Sequence, residues 1–190
     1  MMRFSKADIL KYLCGFAAAC LIAPAFLHGQ TQPRRTIGAQ LQAYPAGVIP
    51  AVSISKSIGH RQFFTLLAGY NFTERRDFGK HDNEEGGGPG FGTAWRYYFR
   101  NRQGGWYLGA RTDVWFLQID WRDDVGNRSG TTDITVLQPT AQGGYRWLFG
   151  DNLTFAATAA LGAEINIRTD GEAVGEGAIL LIGLELGYRF

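Results

Sequence analysis

Six charged side chains stand in the middle of otherwise uncharged segments: Arg96, Arg111, Asp113, Arg146, Glu164 and Glu185. Arginines and carboxylates set among small neutral residues can form a ring that gates or selects ions. They can equally pair and neutralise one another inside a closed structure. A second group, His81 and Ser129 with Asp82, Asp123 and Asp124, holds the residue types of nucleophilic hydrolysis, in which a carboxylate orients an imidazole that activates a hydroxyl. Those residues fall in two polar stretches far apart in sequence, with no hydrolase motif around them. Gly86–Gly92 (GGGPGFG) has the composition of a phosphate-cradling loop. Such loops follow a strand and open a helix, whereas here a strand follows, so the run reads as a mobile loop end. The acidic stretches match no Ca²⁺-loop spacing, and neither a cofactor nor a metal is expected.

The elements that must position these residues alternate with a period of two. Leu153–Arg168 sets Leu153, Phe155, Leu161, Ile165 and Ile167 on one face and Thr154, Thr158, Gly162, Glu164 and Asn166 on the other. The C-terminal segment sets Leu180, Ile182, Leu184, Leu186, Tyr188 and Phe190 against Gly183, Glu185, Gly187 and Arg189. The same pattern runs through Phe91–Arg100 and Trp106–Phe116, and more weakly through Thr36–Tyr44, Val48–Ile58, Gln62–Phe72 and Thr132–Trp147. This makes eight predicted strands. Pro139 removes a ladder hydrogen bond from its strand, so a bulge or broken ladder is expected near it.

Which face is outside decides the class. Six charges cannot share a small core with the bulky apolar face, because unpaired burial is costly. With the bulky face outward the conflict disappears: large residues meet lipid, and small and charged ones line a polar lumen. The segments are long enough for tilted strands to cross a bilayer. The links support this. Those around Gly59–Arg61, Asn101–Gly104 and Phe149–Asn152 are short, whereas Glu74–Gly90, Arg122–Gly130 and Asp170–Gly177 are longer and polar. Only the link at Pro45–Gly47 is short where a long one is expected. Aromatic girdles are predicted at both rims, with Trp106, Phe99, Trp147, Phe155, Tyr188 and Phe190 at one and Tyr70, Phe72, Phe91 and Trp115 at the other.

The first 29 residues read as a secretory signal peptide, with Arg3, Lys6 and Lys11 before the apolar run Tyr12–Leu27 and cleavage after Gly29. Lipoprotein processing at Cys20 is a minor alternative. Of the 190 residues, 19 are Lys or Arg and 17 Asp or Glu; removal of residues 1–29 takes three bases, one acid and both cysteines, leaving a formally neutral chain. Disulfides and thiolate chemistry are thereby excluded, and no basic field for nucleic acid remains. Residues 30–35 form a short periplasmic segment, and residues 36–190 the barrel domain.

On these patterns the chain resembles the small eight-stranded outer-membrane β-barrels, the OmpA/OmpX-type family of Gram-negative bacteria. The resemblance implies an all-β, antiparallel, up-and-down transmembrane barrel. Its C-terminal Gly187-Tyr188-Arg189-Phe190 resembles the signal read by the barrel-assembly machinery, carried by Leu186, Tyr188 and Phe190, although Glu185 stands where that signal usually has glycine. The expected partners are outer-membrane lipids and lipopolysaccharide, with the assembly machinery acting during biogenesis; the protein is expected to be a monomer. The expected role is non-enzymatic, with Arg96, Arg111, Asp113, Arg146, Glu164 and Glu185 forming a network that plugs the lumen. A small porin-like channel, a lipid A-modifying barrel enzyme and a soluble lipocalin-like carrier are the alternatives.

Overall fold

The computed structural model describes residues 35–76, 79–100 and 104–190. The signal-peptide assignment, and residues 30–34 of the predicted periplasmic segment, lie outside them. Eight strands follow in chain order: β1 Arg35–Tyr44, β2 Gly47–Ser57, β3 Gln62–Arg76, β4 Asn83–Tyr98, β5 Gly105–Asp123, β6 Arg128–Phe149, β7 Leu153–Asp170 and β8 Gly177–Arg189. Each pairs antiparallel with its sequence neighbours, and β1 pairs with β8 to close the barrel. Closure extends to the chain end, where Phe190 N donates to Arg35 O at 3.1 Å. With every strand paired on both sides, no edge is left unsatisfied.

Side chains alternate as the sequence predicts. Ile37, Leu66, Phe91, Trp106, Leu161, Ile182 and Leu186 point outward, with Trp106 65% and Ile182 63% exposed. Polar Thr36, Gln40, Ser55, Thr65, Gln142 and Thr158 point inward and are buried. A continuous apolar exterior over a polar interior is the reverse of a soluble ligand carrier. In water it would be an apolar patch far beyond what monomers tolerate; against hydrocarbon it is the favourable surface.

Three prolines show how the sheet absorbs a missing donor. Each keeps its register on one side, as Pro50↔Leu41, Pro89↔Tyr70 and Pro139↔Thr112. On the other side the pairing skips the proline and the residue before it. The bulge expected near Pro139 lies between Thr135 and Val136, where the register against β7 shifts.

Two predictions about the links are overturned. Of the predicted long loops, Glu74–Gly90 and Arg122–Gly130 are mostly strand, their links shrinking to residues 77–82 and 124–127, whereas Asp170–Gly177 is a loop as predicted, with residues 171–176 as its link. The hairpin at 124–127 turns through Gly126 (φ +87°) and Asn127 (φ +48°), the left-handed region that glycine and asparagine tolerate. The run Gly86–Gly90 is not a loop end but lies inside β4. Gly88 and Gly92 share the inward phase of Ala94, Arg96 and Tyr98. A Cβ at Gly90 would lie 2.2 Å from a Trp115 ring carbon, and one at Gly92 would lie 1.8 Å from Asp113 Oδ1. The glycines thus give β4 a bare inner stripe against which the large inner side chains of β5 can lie.

Candidate functional site

The interior of the barrel is the candidate site, and it is layered. At the end of the barrel holding Arg35 and Phe190, Phe63, Tyr98 and Tyr107 form a buried aromatic cluster, with Phe63–Tyr98 ring centroids 5.3 Å apart edge to face and Tyr98–Tyr107 at 5.2 Å. Tyr107 is held by Thr158 Oγ1 at 2.5 Å.

Above it stands an ion network centred on Glu185, which is 3% exposed. Arg96 Nη1 lies 2.8 Å from one carboxylate oxygen, and Arg146 Nη2 donates to the other at 2.9 Å. The two guanidiniums also lie over aromatic faces, Arg96 over Tyr107 at 5.1 Å and Arg146 over Tyr98 at 5.3 Å. Gln40 bridges the network, donating to Glu185 at 3.1 Å and accepting from Arg111 at 3.2 Å. Arg111 Nε in turn donates to Asp113 at 2.6 Å. Five of the six charged residues singled out from the sequence are therefore brought together on β4, β5, β6 and β8, joined through a glutamine.

Glu164 is not among them. It lies towards the opposite mouth and accepts from Arg75 Nη2 at 2.6 Å. Arg75 Nη1 also donates to Glu84 at 3.2 Å and to Gly175 O at 2.8 Å. Glu84 is fully buried and accepts backbone N–H groups from Lys80 at 2.8 Å, His81 at 3.3 Å and Gly175 at 3.1 Å. One carboxylate thus fastens the β3–β4 and β7–β8 links across the mouth. Arg75 and Glu84 escaped the sequence reading because they lie in a charge-rich stretch that looks like a solvated loop. Gln40 was missed because a neutral amide carries no charge signal.

Between the two ionic layers lies a large apolar cluster that the expected polar lumen did not include, beside buried Asn71, Thr73 and Gln138. Trp115, Leu117, Ile119, Val136, Ile179, Leu181 and Ile49 form one buried cluster, into which Val174 of the β7–β8 link inserts. Trp115, predicted for the outer girdle, is fully buried here and donates through Nε1 to Gln138 at 3.2 Å. The other girdle aromatics point outward or lie half-buried on the exterior, Tyr145 and Trp147 packing at 4.8 Å and Trp147 and Phe155 at 5.6 Å. Leu186 and Tyr188 lie on the outward face of β8, and Phe190, just past its end, is exposed.

No protein-family model matches this sequence, and no curated protein sequence does. Solved structures do match. Neisserial surface protein A superposes over 86% of this chain and 100% of its own, at 13% identity and a TM-score of 0.55. The attachment invasion locus protein Ail of Yersinia pestis covers 84% of this chain and 100% of its own, at 8% identity and a TM-score of 0.51. A major outer membrane protein of Thermus thermophilus gives the same coverage, 84% and 100%, at 13% identity and a TM-score of 0.51. The fold is that of a small outer-membrane β-barrel.

In this barrel four residues of the hydrolase hypothesis, His81, Asp82, Asp123 and Asp124, come together, and Ser129 stands apart from their hydrogen bonds. His81 Nδ1 lies 3.0 Å from Asp123, and its ring stacks on Trp121 with centroids 4.2 Å apart. Asp82 accepts from the backbone N–H of Asp124 at 2.7 Å. Ser129 sits opposite Arg122 in the β5–β6 ladder and forms no hydrogen bond with His81. What the arrangement of His81 does is dock the β3–β4 link onto β5. Among the described residues no group of three His, Cys, Asp or Glu side chains is placed to hold a metal ion.

Proposed function

We propose that this chain is an exported, monomeric outer-membrane barrel with a sealed lumen and a non-enzymatic role in envelope stability or surface interaction. The observation that carries the reading is the succession of layers inside the barrel. A permeant ion would have to part the Arg96–Glu185–Arg146 network, then the apolar layer around Trp115, then the Arg75–Glu84–Glu164 cap. Eight strands leave an interior just wide enough for side chains to fill. A seal made of paired charges and packed indole and aliphatic groups also stiffens the wall, which suits a scaffold whose working surface is outside.

That surface divides by charge. Glu74, Glu85, Asp120, Asp133 and Asp170 crowd the exposed rim formed by the longer strands. In this reading the rim faces the outside, against lipopolysaccharide, while the apolar band below meets acyl chains. The signal peptide delivers the chain to the periplasm. Leu186 and Tyr188, which face outward on β8, and exposed Phe190 just beyond it present the assembly signal to the barrel-assembly machinery.

Two measurements test the reading together. Proteoliposomes carrying the barrel should not swell in iso-osmotic small sugars or amino acids, and swelling like that given by a porin refutes the sealed lumen. The lipid A mass spectrum of cells with and without the protein should be identical; a missing or added acyl chain would restore the enzymatic alternative.

A further inference from the structure

The network around Glu185 is not balanced. Arg96, Arg111 and Arg146 meet only Glu185 and Asp113, and all five are 3% exposed or less. Buried charge is retained where it is paired, since an uncompensated ion in a low-dielectric interior is strongly destabilising even after the surroundings relax. The opposite imbalance in the Arg75–Glu84–Glu164 cap cannot compensate at short range, because the apolar layer of Trp115, Leu117 and Val136 lies between.

The polar atoms left over point to the same need. Arg96 Nε, Arg111 Nη2, Arg146 Nε and Gln142 Nε2 are buried and find no acceptor among the described residues. These are donors from four side chains, against Asp113 Oδ1 and Gln42 Oε1 as the nearby acceptors in the same condition. Register places three of the four donor residues around one point. Arg96 pairs with Gly109, and Gly109 with Gln142, so β4, β5 and β6 present arginine, no side chain and glutamine in one row. Arg111 is the next inward residue of β5. Position 109 accepts only glycine, since a Cβ there would lie 2.1 Å from the Trp95 carbonyl oxygen.

We propose that this row binds one small inorganic anion of the chloride type, held by N–H groups of Arg96, Arg111 and Gln142 beside the Glu185 network. Such an ion accepts from the leftover donors of Arg96, Arg111 and Gln142 and supplies the missing negative charge. The inference stands on the charge and register of the interior, not on whether the barrel conducts. Its role is structural: it completes the ion network rather than passing through it.

The test follows heat unfolding of the purified barrel in detergent, by gel mobility and circular dichroism, in sodium chloride, bromide, sulfate and gluconate at equal ionic strength. Chloride and bromide should raise the midpoint saturably above that in gluconate. Crystals grown in bromide should show an anomalous peak between residues 96, 111 and 142. Gln142→Glu supplies a fixed negative charge and should remove both the halide response and the peak. Equal midpoints in all four salts, or bromide-soaked crystals of the unmodified protein without that peak, overturn the site. A response to sulfate with none to halide overturns the assignment to a monoatomic anion.

Discussion

Glu185→Gln is the perturbation that most sharply weighs the ion network. The substitution keeps the shape and one acceptor oxygen but removes the charge. In the native protein that carboxylate, 3% exposed, holds Arg96 at 2.8 Å and Arg146 at 2.9 Å and accepts from Gln40 at 3.1 Å. Without it both guanidiniums remain buried, and Asp113, already taken by Arg111 at 2.6 Å, cannot neutralise them. Removing one partner of a buried pair costs about 3–5 kcal/mol, which shifts the folding equilibrium by about two to three and a half orders of magnitude. The assay is urea unfolding from lipid vesicles, read by the mobility difference between folded and heated barrel. Glu172→Gln is the control. Glu172 pairs with Arg128 at the surface, with side chains 47% and 58% exposed. An exposed pair of that kind contributes about 0–1 kcal/mol. Equal losses in the two variants would refute the claim that the interior network, rather than surface charge in general, stabilises the barrel.

Other consequences follow from the same interior. Trp115→Ala opens a cavity in the apolar layer and should cost about 3–5 kcal/mol in vesicle unfolding, with Trp106→Ala on the exterior costing clearly less; equal costs would contradict the interior placement of Trp115. Gly90→Ala should fail to give the compact, heat-modifiable form, because its Cβ would lie 2.2 Å from Trp115 and 2.3 Å from the Val114 carbonyl oxygen; Pro89→Ala, one residue away on the outer face, should fold normally. Glu84→Gln weakens the bonds that hold the two outer links. Protease cleavage within residues 79–82 and 171–176 should accelerate in whole proteoliposomes, and unchanged cleavage would show that the links are held by something else.

Much of this architecture is legible in the alternation of single residues. A strand that must meet lipid on one side and a lumen on the other carries its orientation in every second position, so strand number, closure and outward face follow without knowledge of the pairing. The chemistry of the interior is less legible, for three physical reasons. From Val114 to Leu117 both faces of β5 are bulky, so alternation falls silent and Trp115 could be assigned to either side. The run GGGPGFG has a loop's composition, yet its glycines at 86, 88, 90 and 92 keep the two-residue period of an inner face. That period, continuous with Ala94 and Arg96, was the available signal. Finally, pairing inside a barrel depends on register. Nothing local distinguishes Glu164, which meets Arg75 across 89 residues of sequence, from Glu185, which meets Arg96 and Arg146.

The central claim is that the lumen is filled by its own side chains, and conductance across a planar bilayer tests it most directly. Purified, folded barrel inserted into a membrane bathed in molar potassium chloride should give no steady unitary current at either polarity. Reproducible, long-lived steps of uniform size from the unmodified protein would show an open path through the Glu185 network and the Trp115 layer, and would contradict the account.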